Sequence, residues 1–259
     1  MNKFIVLLRK LLYITLVMIS KVLNDKPLSV FVLCYHSISD DGWYYSVPLI
    51  NLKKQINYLR NNFEIISLSD LEKIINGGKK VNKASVVITF DDGYKNILSA
   101  KKFFKSIDIK PAVFVIGDKS IVDFKELGTN REFLSNSDIK KLLKDGWEVG
   151  SHTLTHPNMN KLNDLEIERE ISGSKKKIEK NLNIKIKYIA YPKGKYTNKI
   201  TNLVNKAGYK LGLSMDDGVI DLSTSKFAIP RIGVDGSHSF TEFKYLYYPL
   251  LSKFRKLLK

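Results

Sequence analysis

Strand-like and helix-like segments alternate along this chain, and that alternation constrains the fold more than any other feature. Short apolar runs at 29–35, 64–67, 84–90, 111–116, 147–150, 187–190, 209–213 and 228–232 are predicted strands. Between them, helical spacing predicts helices over 52–61, 70–76 (capped by Ser69), 95–106, 138–144, 164–181 and 198–207. Repeated β-α units imply a parallel sheet, and their number suits an α/β fold, a distorted (β/α) barrel of about seven parallel strands. With 44% hydrophobic residues, 259 residues are enough for one core. His36, Asp91, Asp92, His152, Tyr191, Pro192 and Arg231 all fall at or just after the C-terminal end of a predicted strand. In a parallel barrel those ends meet on one face, the face that carries active sites.

The chemistry of these residues is specific. The run Thr89-Phe90-Asp91-Asp92-Gly93-Tyr94 puts two carboxylates side by side where an apolar strand ends. Their repulsion must be offset by a cation or a proton. Ser151-His152-Thr153-Leu154-Thr155-His156 adds two imidazoles four residues apart, again just past a strand. One Asp and two His form a three-ligand zinc set that leaves room for water, and the other Asp is then free to act as its base.

The segments 30–38 (VFVLCYHSI), 88–94 (ITFDDGY), 151–156 (SHTLTH), 190–194 (AYPKG) and 228–234 (AIPRIGV) together resemble the NodB-type polysaccharide deacetylases of carbohydrate esterase family 4. Their order is similar to that of the poly-N-acetylglucosamine deacetylase subgroup. The resemblance implies a divalent metal, usually Zn2+, on Asp92, His152 and His156, with Asp91 as general base. The alternative makes Asp91 a further ligand. The usual Leu-x-His strand near the end of the domain is missing. The subgroup is circularly permuted, so Leu33-Cys34-Tyr35-His36 corresponds and His36 becomes the general acid, with His238 as fallback. Ala190 stands where the third motif commonly has an Arg that orients the base. Arg231 is the replacement, against an ordinary barrel-end salt bridge. Tyr191 and Pro192 are expected at the sugar and oxyanion sites. Met215-Asp216-Asp217-Gly218 is a weak stand-in for the fourth motif. The implied activity is removal of N-acetyl groups from an amino-sugar glycan or lipid-linked oligosaccharide. The alternatives are an esterase or deformylase on the same scaffold, or a non-catalytic glycan-binding relic.

The ends read differently. Residues 1–24 form a basic amphipathic helix with a nine-residue uninterrupted apolar stretch at 11–19, too short to span a bilayer. Residues 241–259 repeat the theme, with Pro249 starting a helix after Tyr245, Tyr247 and Tyr248. The deacetylase barrel is thus expected over 25–240. The formal charge of +17 fits either a lysine-rich background or attraction to an acidic surface. An anionic membrane surface is the expected partner, with peripheral attachment at the bacterial cytoplasmic membrane. The alternatives for the N-terminal helix are a cap on the barrel and an uncleaved signal anchor, which would place the domain outside. No nucleic-acid-binding motif is visible. The single cysteine, Cys34, is read as a small core residue.

Overall fold

The computed structural model describes residues 3–24, 29–218, 220, 221 and 223–257. The expected domain boundary at 24/25 and the last two residues of the C-terminal tail lie outside or at the edge of these. The described residues form eight parallel strands: β1 (Val30–Tyr35), β2 (Glu64–Ile65), β3 (Ser85–Phe90), β4 (Ala112–Val115), β5 (Glu148–Ser151), β6 (Tyr188–Ala190), β7 (Leu211–Leu213) and β8 (Ile232–Gly233). The order around the sheet is β7-β6-β5-β4-β3-β1-β8, with β2 pairing the start of β3. Seven strands therefore form the main path, as the alternation predicts. Ile229 bridges to Leu213 of β7, and Ile232 and Gly233 pair with Leu33 and Cys34 of β1. One short segment thus touches both edges of the sheet and draws it into the distorted barrel.

Helices α1 (Lys3–Val22), α2 (Leu49–Asn62), α3 (Leu68–Ile75), α4 (Lys101–Ser106), α5 (Phe124–Leu127), α6 (Asn136–Lys144), α7 (Asp164–Glu168), α8 (Ser174–Leu182), α9 (Asn198–Lys206), α10 (Phe240–Phe243) and α11 (Pro249–Leu257) pack around it. Three expectations change. The cap of α3 is Ser67, whose hydroxyl accepts from the Asp70 amide; Ser69 already lies inside the helix. The long helix expected over 164–181 is interrupted by a π turn at Arg169–Gly173, between α7 and α8. The helix over 95–106 likewise begins as a 3-10 turn, Lys95–Ala100, before α4.

Strand residues alternate between two apolar layers, because successive side chains point to opposite faces of a sheet. Phe31, Leu33, Val86, Ile88, Val113 and Ile189 pack in the outer layer with helical residues. Val30, Val32, Val87, Ala112, Phe114, Ala190, Leu213 and Ile229 pack together in the other layer, lining the barrel. Gly150 shares that inner register, and a Cβ there would lie 2.4 Å from the Phe114 ring. The barrel centre is filled to the point that this one position must be bare.

Candidate active site

Counting by twos along the inner register leads directly to the site. From Val32 the phase runs through Cys34 to His36; from Val87 through Thr89 to Asp91; from Gly150 to His152; and from Ile229 to Arg231. His36, Asp91 and His152 lie just past the C-terminal ends of β1, β3 and β5, whereas Arg231, expected at the end of a strand, lies between the Ile229 bridge and the start of β8; Asp91, His152 and Arg231 are buried.

Asp92, His152 and His156 converge, with one donor atom from each lying within 4.8 Å of the others. Asp92 Oδ1 is 3.3 Å from both His152 Nε2 and His156 Nε2. Asp92 and His156 hold φ of 65°, and Thr153 holds 63°, in the left-handed region that side chains other than glycine seldom adopt. Backbone strain at two of three donors, and between them, marks an over-determined cluster. His152 Nδ1 lies 2.8 Å from the Ala190 carbonyl, which can only accept, so Nδ1 carries the proton and Nε2 is left unprotonated, its lone pair toward the cluster. Ala190 thus supports the site through its backbone. Buried Asp92 Oδ1 and His156 Nδ1 make no hydrogen bond. A buried carboxylate oxygen between two imidazole nitrogens, with no hydrogen-bond partner, fits a divalent cation, and the Asp-His-His donor set suits zinc.

The loop bearing the histidines is held from below by Glu170. Its Oε2 accepts from the amides of Leu154 (2.8 Å) and Thr155 (2.9 Å), and Oε1 accepts from the Thr155 hydroxyl (2.7 Å). Glu170 sits in the π turn, which re-aims its side chain inward. Nothing in the sequence pattern singled it out, since an acidic residue inside an amphipathic helix reads as solvated. Glu170→Ala leaves two buried amides unpaired and frees the loop. It should weaken zinc affinity roughly 10- to 100-fold, the usual effect of removing a supporting group, in a competition assay against a metallochromic chelator.

Asp91 stands beside the donor cluster. Its Oδ2 is 3.8 Å from His152 Nε2, while Arg231 donates to both of its oxygens at 2.7 Å. Arg231 is fully buried, and it also donates to the Ser214 carbonyl and the Thr89 hydroxyl. Burial would push the Asp91 carboxyl up; the Arg231 guanidinium, aided by His152, more than offsets this and holds it at about 2. Burial likewise works against ionised Asp92, but its histidine neighbours hold it below the usual carboxylate range.

These groups line a cavity of about 400 Å³ together with His36, Trp43, Tyr45, Tyr94, Lys193 and Gly194. His36 lies close to Asp91, its ring 5.0 Å from that of Tyr45, and its Nδ1 is buried without a hydrogen bond. His238 does not reach the cavity; its Nδ1 lies 3.3 Å from Asp235 in a turn beyond β8. Tyr191 is also corrected. Ala190 points inward, so Tyr191 points outward, where its hydroxyl donates to the Phe227 carbonyl and its ring stacks on Tyr196. It is core and does not line the cavity. Pro192 is buried too, but it opens a turn that brings Lys193 and Gly194 to the cavity wall. A Cβ at Gly194, where φ is 68°, would lie 2.5 Å from that of Met215. The amides of Gly194 and Lys195 already bond to the carbonyls of Tyr191 and Pro192. In the stand-in for the fourth motif, Met215 and Asp216 line the cavity, whereas Asp217 turns toward Arg255 at 3.5 Å. Trp43 and Tyr45 were missed by sequence reasoning because they lie on the β1–α2 loop, outside any periodic element. The Arg131 guanidinium lies 4.0 Å over the Trp43 ring and braces that loop.

The chain is similar to known proteins in sequence and in fold. The family model for polysaccharide deacetylase matches residues 78–212, about half of the chain. A poly-beta-1,6-N-acetyl-D-glucosamine N-deacetylase of Staphylococcus aureus is 28% identical over 210 residues, covering 76% of this chain and 71% of the relative. The crystal structure of BC0361, a polysaccharide deacetylase from Bacillus cereus, superposes with a TM-score of 0.71 at 26% identity, covering 86% of this chain and 69% of that one. IcaB from Ammonifex degensii has the same fold, with a TM-score of 0.74 at 19% identity over 88% of this chain and 98% of that one. With the inward-facing strand ends and the Asp-His-His cluster they carry, these matches show that the chain belongs to the polysaccharide deacetylase family of hydrolases.

Proposed function

We propose that this protein removes N-acetyl groups from an amino-sugar glycan with the help of a zinc ion on Asp92, His152 and His156. The observation that carries the reading is the convergence of those three donors around a buried, unpartnered Asp92 oxygen, beside a second carboxylate that an arginine keeps ionised. Bound there, the metal supplies a polarised acyl carbonyl and an acidified water. The protein's own residues do the rest. Asp91 takes the proton of the attacking water. Arg231 fixes that carboxylate in place and, by occupying both of its oxygens, keeps it from moving over to serve as a further ligand. His36 gives a proton to the departing nitrogen, so that acetate leaves and a free amine remains on the sugar. Trp43 and Tyr45 offer aromatic faces to a sugar ring at the cavity wall.

An N-acetylglucosamine polymer is the favoured substrate class, supported by the Staphylococcus aureus relative. The test is acetate release by the zinc-loaded protein across a panel of β-1,6- and β-1,4-linked N-acetylglucosamine oligomers, lipid-linked acetylated amino sugars and O-acetylated sugars. Release from the N-acetylated members, with free amine formed in equal amount, is expected. Release from O-acetylated members alone would overturn the amide reading.

A further inference from the structure

Helix α1 has two apolar faces and only one of them is covered. Tyr13, Val17 and Ser20 are buried, and the helix packs against α10 and α11. Arg9 pins it there, donating to Glu242 at 2.8 Å and to the hydroxyl and carbonyl of Ser237 at 2.9 and 2.7 Å. The outward face carries Leu7, Leu8, Leu11, Met18, Ile19 and Val22, from 43% to 85% exposed. The one hydroxyl in the middle of this ridge, on Thr15, is turned back to the Leu11 carbonyl. A helix on the surface of a water-soluble globule normally turns polar residues outward. A continuous bare apolar stripe about as long as the helix marks a contact surface.

The charge around the ridge chooses its occupant. Neither α1 nor α11 contains an acidic residue. Lys10 and Lys21 flank the ridge, and exposed Lys253 and Lys256 lie on α11, packed beside it. The whole chain carries a formal charge of +17. A symmetric contact with a second copy would bring these lysines together with no acid on either helix to offset them. An anionic lipid surface offers phosphate to the lysines and acyl chain to the leucines. Among the described residues no helix is long and apolar enough to cross a membrane, so the fitting mode is lying in the interface.

We propose that the outer face of α1, with the basic flank of α11, docks in the headgroup region of an anionic bilayer. The carbonyl of Tyr44, on the Trp43–Tyr45 loop at the cleft, accepts from the Gly236 amide, and Tyr44 lies against Asp235 near Arg9. Docking therefore holds the cleft beside the lipid surface, where it meets glycan anchored to or emerging from that surface. This last step rests on the deacetylase reading; the docking itself does not.

The experiment uses the full chain and two kinds of vesicle, phosphatidylcholine alone and phosphatidylcholine with about 30 mol % phosphatidylglycerol, a load giving a substantial negative surface potential. Flotation should find the protein with the anionic vesicles at least tenfold more than with the neutral ones. The double variant Leu11→Glu/Met18→Glu should lose roughly 100-fold or more in partitioning, as expected from withdrawing two large apolar side chains. Its thermal unfolding should match the parent, since both side chains face away from the barrel. A fluorophore on Met18→Cys should be quenched by brominated lipid, and one on Lys180→Cys, on the far flank, should not; Cys34 is buried and stays unlabelled. Three results overturn the proposal: a parent protein that stays soluble with both vesicles, equal binding to both, or a dimer in sedimentation that the double variant dissolves without any vesicle binding. Acetate release plays no part in these readouts, so a failed deacetylase reading would leave them standing.

Discussion

Asp92→Ala should strip zinc from the protein and take acetate release down with it, by roughly 1000-fold or more, the several kcal/mol that a metal contributes to such a transition state. Asp92 is the donor that lies between the two imidazoles, 3.3 Å from each. Without it, His152 and His156 are a two-point site. His152 alone keeps its orientation, because its Nδ1 proton stays on the Ala190 carbonyl. Equilibrium dialysis should find less than stoichiometric zinc in the variant at concentrations that saturate the parent. A variant that loses turnover while holding a full equivalent of zinc would move Asp92 out of the ligand set.

The second large effect belongs to the Asp91–Arg231 pair, and it separates chemistry from folding. Arg231→Met leaves Asp91 ionised and uncompensated among buried groups, at a cost of about 3–5 kcal/mol in unfolding free energy. Asp91→Asn strands the arginine instead and should cost a similar amount. The double variant restores neutrality, so its stability should lie well above the sum of the two losses in a chemical denaturation cycle. Activity behaves otherwise. Asp91→Asn should keep zinc and lose about 100- to 10,000-fold in kcat, and restoring neutrality should recover none of it. The pH profile adds a sign. Burial raises the Asp91 carboxyl and Arg231 more than offsets it, to about 2. A group whose pKa is depressed on folding stabilises the native state above its unfolded value, and that contribution is lost as pH falls toward the folded one. In Arg231→Met the burial effect has lost its largest opponent and is countered only by the histidines and the bound metal, so the pKa climbs and the acid limb of the kcat/KM profile moves to higher pH. An unmoved limb would mean that a different group takes the proton.

Much of this site is legible before any coordinates, because strands obey a period of two. The residues at 32, 34 and 36, or at 87, 89 and 91, must share a face, and the apolar runs fix which face is inside. The same rule, followed one residue further at β6, places Tyr191 outside the cavity; reading the motif as a block hid that. The capping of α3 shows the ordinary limit, since two serines two residues apart both suit the start of a helix. Glu170 was illegible for a deeper reason. Its inward aim depends on the π turn, and an added residue per turn leaves no mark on a helical pattern. The cleft-lining loop around Trp43 depends on long-range partners, such as Arg131, that no local spacing announces. For the N-terminal helix, the sequence offered a membrane surface and a barrel cap as alternatives. The structure gives the helix a packed face against the barrel and a bare apolar one opposite it.

The segment from Ile229 to Gly233 has a bearing on how the protein is made. It is the last strand to be added, it sits against a strand formed two hundred residues earlier, and it delivers Arg231 to a carboxylate 140 positions upstream. A ribosome will have released nearly the whole barrel before the acid at its centre acquires its counter-ion. Until then the emerging polypeptide must hold an uncompensated charge or keep it protonated, a state that resists compaction. The late arrival of a single arginine thus ties the pairing of the buried Asp91 carboxylate to near-completion of the barrel, so that fragments ending short of it lack that counter-ion.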